Sequence, residues 1–147
     1  MFDLHHQVPN FSLPNQDGQS ISLDSFRGKY VLLYFYPKDD TPGCTKEACT
    51  LRDNYDEFQK LGVVVLGVSA DSPQSHLQFI AKYHLPFTLL SDPEKEVIKL
   101  YGAARGPFIK RMSYLINPTG EIVKVYPQVT PANHASEILQ DMEILGV

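Results

Sequence analysis

Cys44 and Cys49, five positions apart, are the residues whose type and spacing could carry chemistry in this chain. They lie in the segment Tyr36-Pro37-Lys38-Asp39-Asp40-Thr41-Pro42-Gly43-Cys44-Thr45-Lys46-Glu47-Ala48-Cys49. Thr41 is placed to cap a helix, and Pro42 suits the first helical position because its missing N–H would have had no intrahelical partner. Cys44 then falls in the first turn, where unpaired N–H groups and the positive end of the helix dipole favour a thiolate over a thiol. Cys49 sits deeper in the same helix, outside that field, so Cys44 is the better nucleophile. Residues five apart in a helix stand ~7.5 Å apart along the axis and ~140° around it. A Cys44–Cys49 disulfide, which needs Cα atoms within about 7 Å, therefore requires the first turns to unwind. That one or both are buried core thiols is the alternative that spacing leaves open, and helix-start placement favours chemistry over it. A zinc site is not indicated, since no second cysteine pair lies nearby and His5, His6, His76, His84 and His134 are scattered.

The elements that must position these residues follow from hydrophobic periodicity. Phe11–Leu13 and Ile21–Leu23 alternate apolar and polar residues around Asn15-Gln16-Asp17-Gly18, which predicts an amino-terminal hairpin. Val31–Tyr36, Val63–Ser69 and Phe87–Leu90 are short apolar runs rich in β-branched or aromatic residues, as in strands covered on both faces. Cys44–Leu61 carries Leu51, Tyr55, Phe58 and Leu61 at helical spacing, with Gly62 as a stop. Ser72-Pro73 opens a second helix through Leu77, Ile80 and Tyr83, and Asp92-Pro93 a third through Val97, Leu100 and Tyr101. Met112–Ile116 and Glu121–Tyr126 flank the turn Asn117-Pro118-Thr119-Gly120, which suits an antiparallel pair, and Ala135–Leu145 reads as a closing helix. The sum is an α/β fold, a mixed central sheet flanked by helices. Pro37–Gly43 then lies at the carboxyl end of a buried strand and directly before a helix, where α/β sheets commonly hold their sites.

Composition narrows the class. With 147 residues, 43% of them apolar, the chain can build one core and is expected to form one domain over residues 1–147. Neither a disulfide framework nor a structural metal is needed to fold it. Seventeen acidic against thirteen basic side chains give a net charge of −4 with no basic track, so nucleic acid is not an expected partner. The longest apolar runs fall far short of the ~20 residues that span a bilayer, so no membrane is expected either. Met1–Leu13 lacks the charged start and apolar centre of a secretory signal, and the expectation is a cytoplasmic, reducing compartment.

Pro37, Thr41 and Cys44 reproduce the P-x-x-x-T-x-x-C signature of the peroxiredoxins. The surrounding Phe35-Tyr36-Pro37, Pro42-Gly43-Cys44-Thr45 and Glu47-Ala48-Cys49 resemble the bacterioferritin comigratory protein, or peroxiredoxin Q, branch. Val8–Leu13, Gly67–Ser72, Leu90–Pro93 and Arg111–Ile116 are similar to further blocks of that branch in the same order. Val8, Tyr114 and Asn117 depart from its common residues, away from the proposed chemistry.

The resemblance implies a thioredoxin-like fold with the added hairpin and an atypical 2-Cys peroxidase. Cys44 is then the peroxidatic cysteine, Cys49 the resolving one, and Pro37, Thr41 and Arg111 complete the site. It further implies reduction of hydrogen peroxide and organic hydroperoxides, a Cys44–Cys49 disulfide, recycling by thioredoxin with glutaredoxin as a second candidate, no cofactor or metal, and a monomer. Arg105 competes with Arg111 on spacing alone, and only the family pattern favours Arg111. Glu47 ranks below the other four because it could simply support the helix start. A general thiol–disulfide oxidoreductase is the competing enzyme, but C-x-x-C is its usual spacing and C-x-x-x-x-C stands here. A binding or chaperone module on the same fold is the non-enzymatic alternative.

Overall fold

The structure, a computed structural model, describes residues 1–147. The chain opens with the antiparallel hairpin β1 (Ser12–Pro14) and β2 (Ser20–Ser22), followed by a single 3-10 turn over Leu23–Phe26. Next come β3 (Tyr30–Phe35), α1 (Pro42–Asp53), α2 (Tyr55–Lys60), β4 (Val63–Ser69), α3 (Pro73–Tyr83), β5 (Thr88–Ser91) and α4 (Glu96–Leu100). A two-residue hairpin, β6 (Ala104–Arg105) and β7 (Phe108–Ile109), leads into β8 (Met112–Ile116), β9 (Ile122–Tyr126) and α5 (His134–Ile144).

The central sheet has the order β5-β4-β3-β8-β9. β3 runs parallel to β4 and antiparallel to β8, so the strand that leads into the cysteine segment is the middle one. Its alternation divides the core between the two faces. Val31, Leu33 and Phe35 pack on one side with Leu66, Val68 and Tyr101. Leu32, Tyr34 and Tyr36 pack on the other with Cys44, Ala48 and Leu51 of α1 and with Ile138 and Met142 of α5. Burying a leucine such as Leu51 stabilises by roughly 1.5–3 kcal/mol, so the body of α1 is held firmly against the sheet.

Two helices differ from the sequence reading. The expected helix over Cys44–Leu61 is two, broken at Asn54, whose φ of −108° and ψ of 10° leave the helical region. The Asn54 side chain donates 2.8 Å to the Thr50 carbonyl, an alternative partner for the backbone of the kind asparagine offers. The helix opened by Asp92-Pro93 begins later, at Glu96. Asp92 nevertheless caps it, accepting from Glu96 N–H (3.2 Å) and Ile98 N–H (2.8 Å). The 3-10 turn and the β6–β7 hairpin had no counterpart in the sequence reading; segments of two to four residues are too short to show a period.

Candidate active site

Phe35 ends β3 and Pro42 begins α1, so Tyr36–Thr41 form a loop at the carboxyl end of the middle strand. Cys44 is the third residue of α1 and is buried, while Cys49 in the same helix is half-buried; both are free. The Cys44 sulfur accepts a hydrogen bond from Arg111 Nη2 at 3.3 Å. Arg111 Nη1 donates 2.9 Å to Glu47 Oε1. Arg111 directly precedes β8, the antiparallel neighbour of β3, and that register brings it over the start of α1. Gly43 makes the approach possible: a Cβ there would stand 2.9 Å from Arg111 Nη2. Arg105, the competitor on spacing, is exposed on β6 and lines a cleft of about 1190 Å³ beside Arg111, with Phe108, Ile109, Lys110 and Val129.

The cation at Arg111 is well held. Burial works against it, but the hydrogen bond and charge of the Cys44 sulfur, together with Glu47, outweigh that and raise its pKa. Glu47 is fully buried, and burial pushes its carboxyl up to about 7 while Arg111 pulls it down. Its second oxygen, Oε2, and the Tyr34 hydroxyl are buried without hydrogen-bond partners on the same side of the sheet as Cys44. Glu47 therefore ranks higher than the sequence reading places it. The signal was its i+3 spacing from Cys44, which places both on one face of the helix.

Thr41 occupies the N-cap position with extended backbone (φ −92°, ψ 156°), but its side chain makes no capping bond. Its hydroxyl instead donates 2.8 Å to the Lys38 carbonyl, and the helix is started by Thr45 N–H on the Thr41 carbonyl. The hydroxyl hydrogen is thus committed to the loop, leaving the oxygen's lone pairs for a ligand. Pro37, the second residue beyond β3, is exposed and lies outside the buried cluster that contains Cys44. The structure therefore joins Cys44, Arg111 and Glu47, sets Thr41 at the head of the helix that carries Cys44 and Glu47, and places Cys49 deeper in that helix, half-buried.

Known proteins resemble the chain over nearly its whole length. The sequence pattern described as the AhpC/TSA family matches residues 4–125. A Coxiella burnetii protein named putative peroxiredoxin bcp is 46% identical over 145 residues, covering 93% of this chain and 96% of its own. The chloroplastic peroxiredoxin Q of Populus jackii is 44% identical, covering 93% of this chain and 66% of its own. Among solved structures, a cysteine-to-serine variant of Xylella fastidiosa PrxQ superposes with a TM-score of 0.95 at 29% identity, covering 100% of this chain and 99% of its own. Peroxidoxin BcpB of Mycobacterium tuberculosis does so at 0.92 and 29%, covering 99% of each chain. The fold is accordingly the thioredoxin-like one of the peroxiredoxins, hairpin included. From a sequence match that extends through the cysteine helix and a fold match that spans the chain, it follows that the protein belongs to the AhpC/TSA family and is a thiol peroxidase of the peroxiredoxin Q and bacterioferritin comigratory protein kind.

Proposed function

We propose that Cys44 is the peroxidatic cysteine, that Cys49 resolves it, and that Thr41, Arg111 and Pro37 serve the first step. The observation that carries this reading is the Arg111 guanidinium 3.3 Å from the Cys44 sulfur at the start of α1. The Cys44 thiolate attacks the distal oxygen of a hydroperoxide, an S–O bond forms, and the O–O bond breaks. The departing oxygen takes a proton and leaves as water or an alcohol, and Cys44 is left as a sulfenic acid. Thr41 accepts from the O–H of the hydroperoxide, because its own hydrogen is on the Lys38 carbonyl. Arg111 holds the sulfur and offers charge to the developing oxyanion. Pro37, at the exposed rim, covers the approach from solvent.

Thiolate formation alone accounts for little of the rate. Lowering a thiol pKa by about 2.5 units raises the thiolate fraction at neutral pH roughly thirtyfold, and lowers intrinsic nucleophilicity roughly tenfold. Alignment and charge stabilisation by the folded first turn must supply the remainder.

Cys49 then attacks the Cys44 sulfenic acid, water leaves, and the intramolecular disulfide forms. The first turns of α1 open for this step. Apart from buried Cys44 and Glu47, which Arg111 holds, these turns are lightly secured: Pro42 is exposed, Gly43 disfavours helix by about 1 kcal/mol relative to Ala, and the apolar anchors Ala48 and Leu51 lie further along. An external dithiol reduces the disulfide, with thioredoxin as the reductant, glutaredoxin a second candidate, and hydrogen peroxide and organic hydroperoxides as substrates. The proposed working unit is a monomer, with residues 1–147 as one domain. Two free cysteines are in keeping with a cytoplasmic, reducing setting. No helix is long and apolar enough to cross a membrane. The test is a coupled assay with reduced thioredoxin and several hydroperoxides on the wild type, Cys44→Ser and Cys49→Ser. Peroxide consumption by Cys44→Ser at the wild-type rate would overturn the reading.

A further inference from the structure

Asp39 lies between Pro37 and Thr41 in the active-site loop, yet its carboxylate points into the protein and is almost fully buried. Its N–H and both carboxylate oxygens are engaged. Its N–H donates 2.8 Å to Asp71 Oδ2, Oδ1 accepts from the Tyr36 hydroxyl at 2.5 Å, and Oδ2 accepts from the Ser75 hydroxyl at 2.8 Å. Oδ2 also stands 2.7 Å from Nδ1 of His76, a fully buried residue of α3. The opposite ring nitrogen, Nε2, is 3.0 Å from the Leu90 carbonyl in β5.

Hydrogen counting fixes what this contact must contain. A carbonyl oxygen only accepts, so Nε2 carries a hydrogen. The Tyr36 hydroxyl lies 3.3 Å from Nδ1 but spends its hydrogen on the nearer Asp39 Oδ1, and the Ser75 hydrogen is spent on Asp39 as well. A neutral ring with its single hydrogen on Nε2, facing an ionised Asp39, would set two lone pairs against each other at 2.7 Å. A proton therefore lies between Nδ1 and Oδ2. The fixed loop residue next to this contact is Asp40, in the left-handed region at φ 58°, whose carboxylate is held by Lys82 Nζ and the Tyr83 hydroxyl, each at 2.7 Å. Both anchors come from α3, so that helix acts as the template for the loop.

We propose that Asp39 and His76 are a proton-sharing positioning pair that fixes the Pro37–Thr41 loop, and with it the Thr41 hydroxyl, while the first turns of α1 open and close beyond it. The pair touches no substrate. It acts through the Lys38 carbonyl that takes the Thr41 hydrogen, and it sets the point at which unwinding of the cysteine segment stops. This rests on the roles given above to Cys44 and Thr41.

Two substitutions separate positioning from packing. In His76→Asn the amide nitrogen takes the place of Nδ1 and still donates to Asp39, whereas in His76→Gln it takes the place of Nε2 and donates to Leu90 instead. Stopped-flow oxidation of Cys44 by hydrogen peroxide is expected to stay within about threefold of wild type in His76→Asn and to fall about tenfold or more in His76→Gln. Equal rates in the two, or rates that follow only their melting temperatures, would overturn the pair. Should neither variant fold, nitrogen-15 imidazole spectra of the wild type decide: a slowly exchanging proton on the Nδ1 side of His76 is expected, and a bare Nδ1 with no bridging proton overturns it. Cys44→Ser, run alongside, tests the underlying peroxidase roles separately: continued peroxide consumption by that variant overturns those roles, whereas its inactivity together with equal rates in the two His76 variants overturns the pair alone.

Discussion

Arg111 and Cys44, 67 positions apart in sequence, meet through a 3.3 Å contact from Nη2 to Sγ, while the other terminal nitrogen of the same guanidinium is clamped 2.9 Å from Glu47 Oε1. One planar cation thus joins the sulfur to a buried carboxylate three residues further along the helix. Removing it is expected to cost about 10²–10³ in the second-order rate of Cys44 oxidation, as for other donors that stabilise developing negative charge. Arg111→Lys should recover only part of that loss, because an ammonium lacks the fork that reaches both partners. Competition kinetics for hydrogen peroxide on Arg111→Met and Arg111→Lys measure both values.

Gly43→Ala separates the site from the stability of its helix. Ala is the better helix former by about 1 kcal/mol, and no positive φ forbids it at position 43. Its Cβ would nevertheless stand 2.9 Å from Arg111 Nη2 and displace the guanidinium. The expected outcome is an unchanged or raised melting temperature together with a fall of about tenfold or more in Cys44 oxidation. A rate that rises with stability would show that the close approach is unimportant.

The two cysteines should fail in different ways. Cys44→Ser is expected to abolish peroxide consumption. Cys49→Ser should consume one equivalent of peroxide and then stop being recycled by thioredoxin, accumulating sulfenic and higher acids on Cys44 visible by mass spectrometry. An undiminished steady-state rate in Cys49→Ser would remove the resolving role.

Stability should depend on pH through two buried groups of opposite sign. Glu47 is pushed up to about 7 by burial, against the pull of Arg111, from 4.5 in the unfolded chain. Between those values the folded state keeps a proton that the unfolded state has lost, so stability falls as pH rises through the window. His134 is lowered from 6.5 to about 4 by burial, with Asp141 opposing. It is neutral at pH 7, so its 3.3 Å contact with Glu137 is a hydrogen bond rather than an ion pair. Below about 6.5 the unfolded ring takes up a proton that the folded ring refuses, so stability falls as pH drops towards 4. The slopes oppose each other between about pH 4.5 and 6.5. Urea unfolding across about pH 4.5–7.5 should expose an acid-side loss on the order of 1–3 kcal/mol in Glu47→Gln, and the opposite trend in His134→Gln.

Much of this was legible in the chain because it is written in local chemistry. The three buried strands follow from short continuous apolar runs, and the hairpin and the β8–β9 pair from alternation and turn residues such as Asn117, whose Oδ1 accepts from Thr119 and Glu121 N–H. Thr41-Pro42 marked where the cysteine helix starts. The features that escaped depend on tertiary placement. Periodicity runs through Asn54 because Leu51, Tyr55 and Phe58 remain in phase, so only its side-chain bond to Thr50 betrays the break. His76 looked like one of several scattered histidines until α3 packed it against Asp39. The choice of Arg111 over Arg105 was carried by family pattern, and its physical ground is the β3–β8 register, which no local spacing encodes.

One 12-residue helix carries both sulfurs of the proposed cycle. In that proposed cycle an enzyme that has just worked is an enzyme without a pocket, because joining 44 to 49 would dismantle the arrangement that recognises the next oxidant. As peroxide rises, molecules collect in that dismantled form, and throughput comes to be dictated by how fast dithiol is delivered. The cell's supply of reducing equivalents, rather than the oxidant, then sets the ceiling on detoxification.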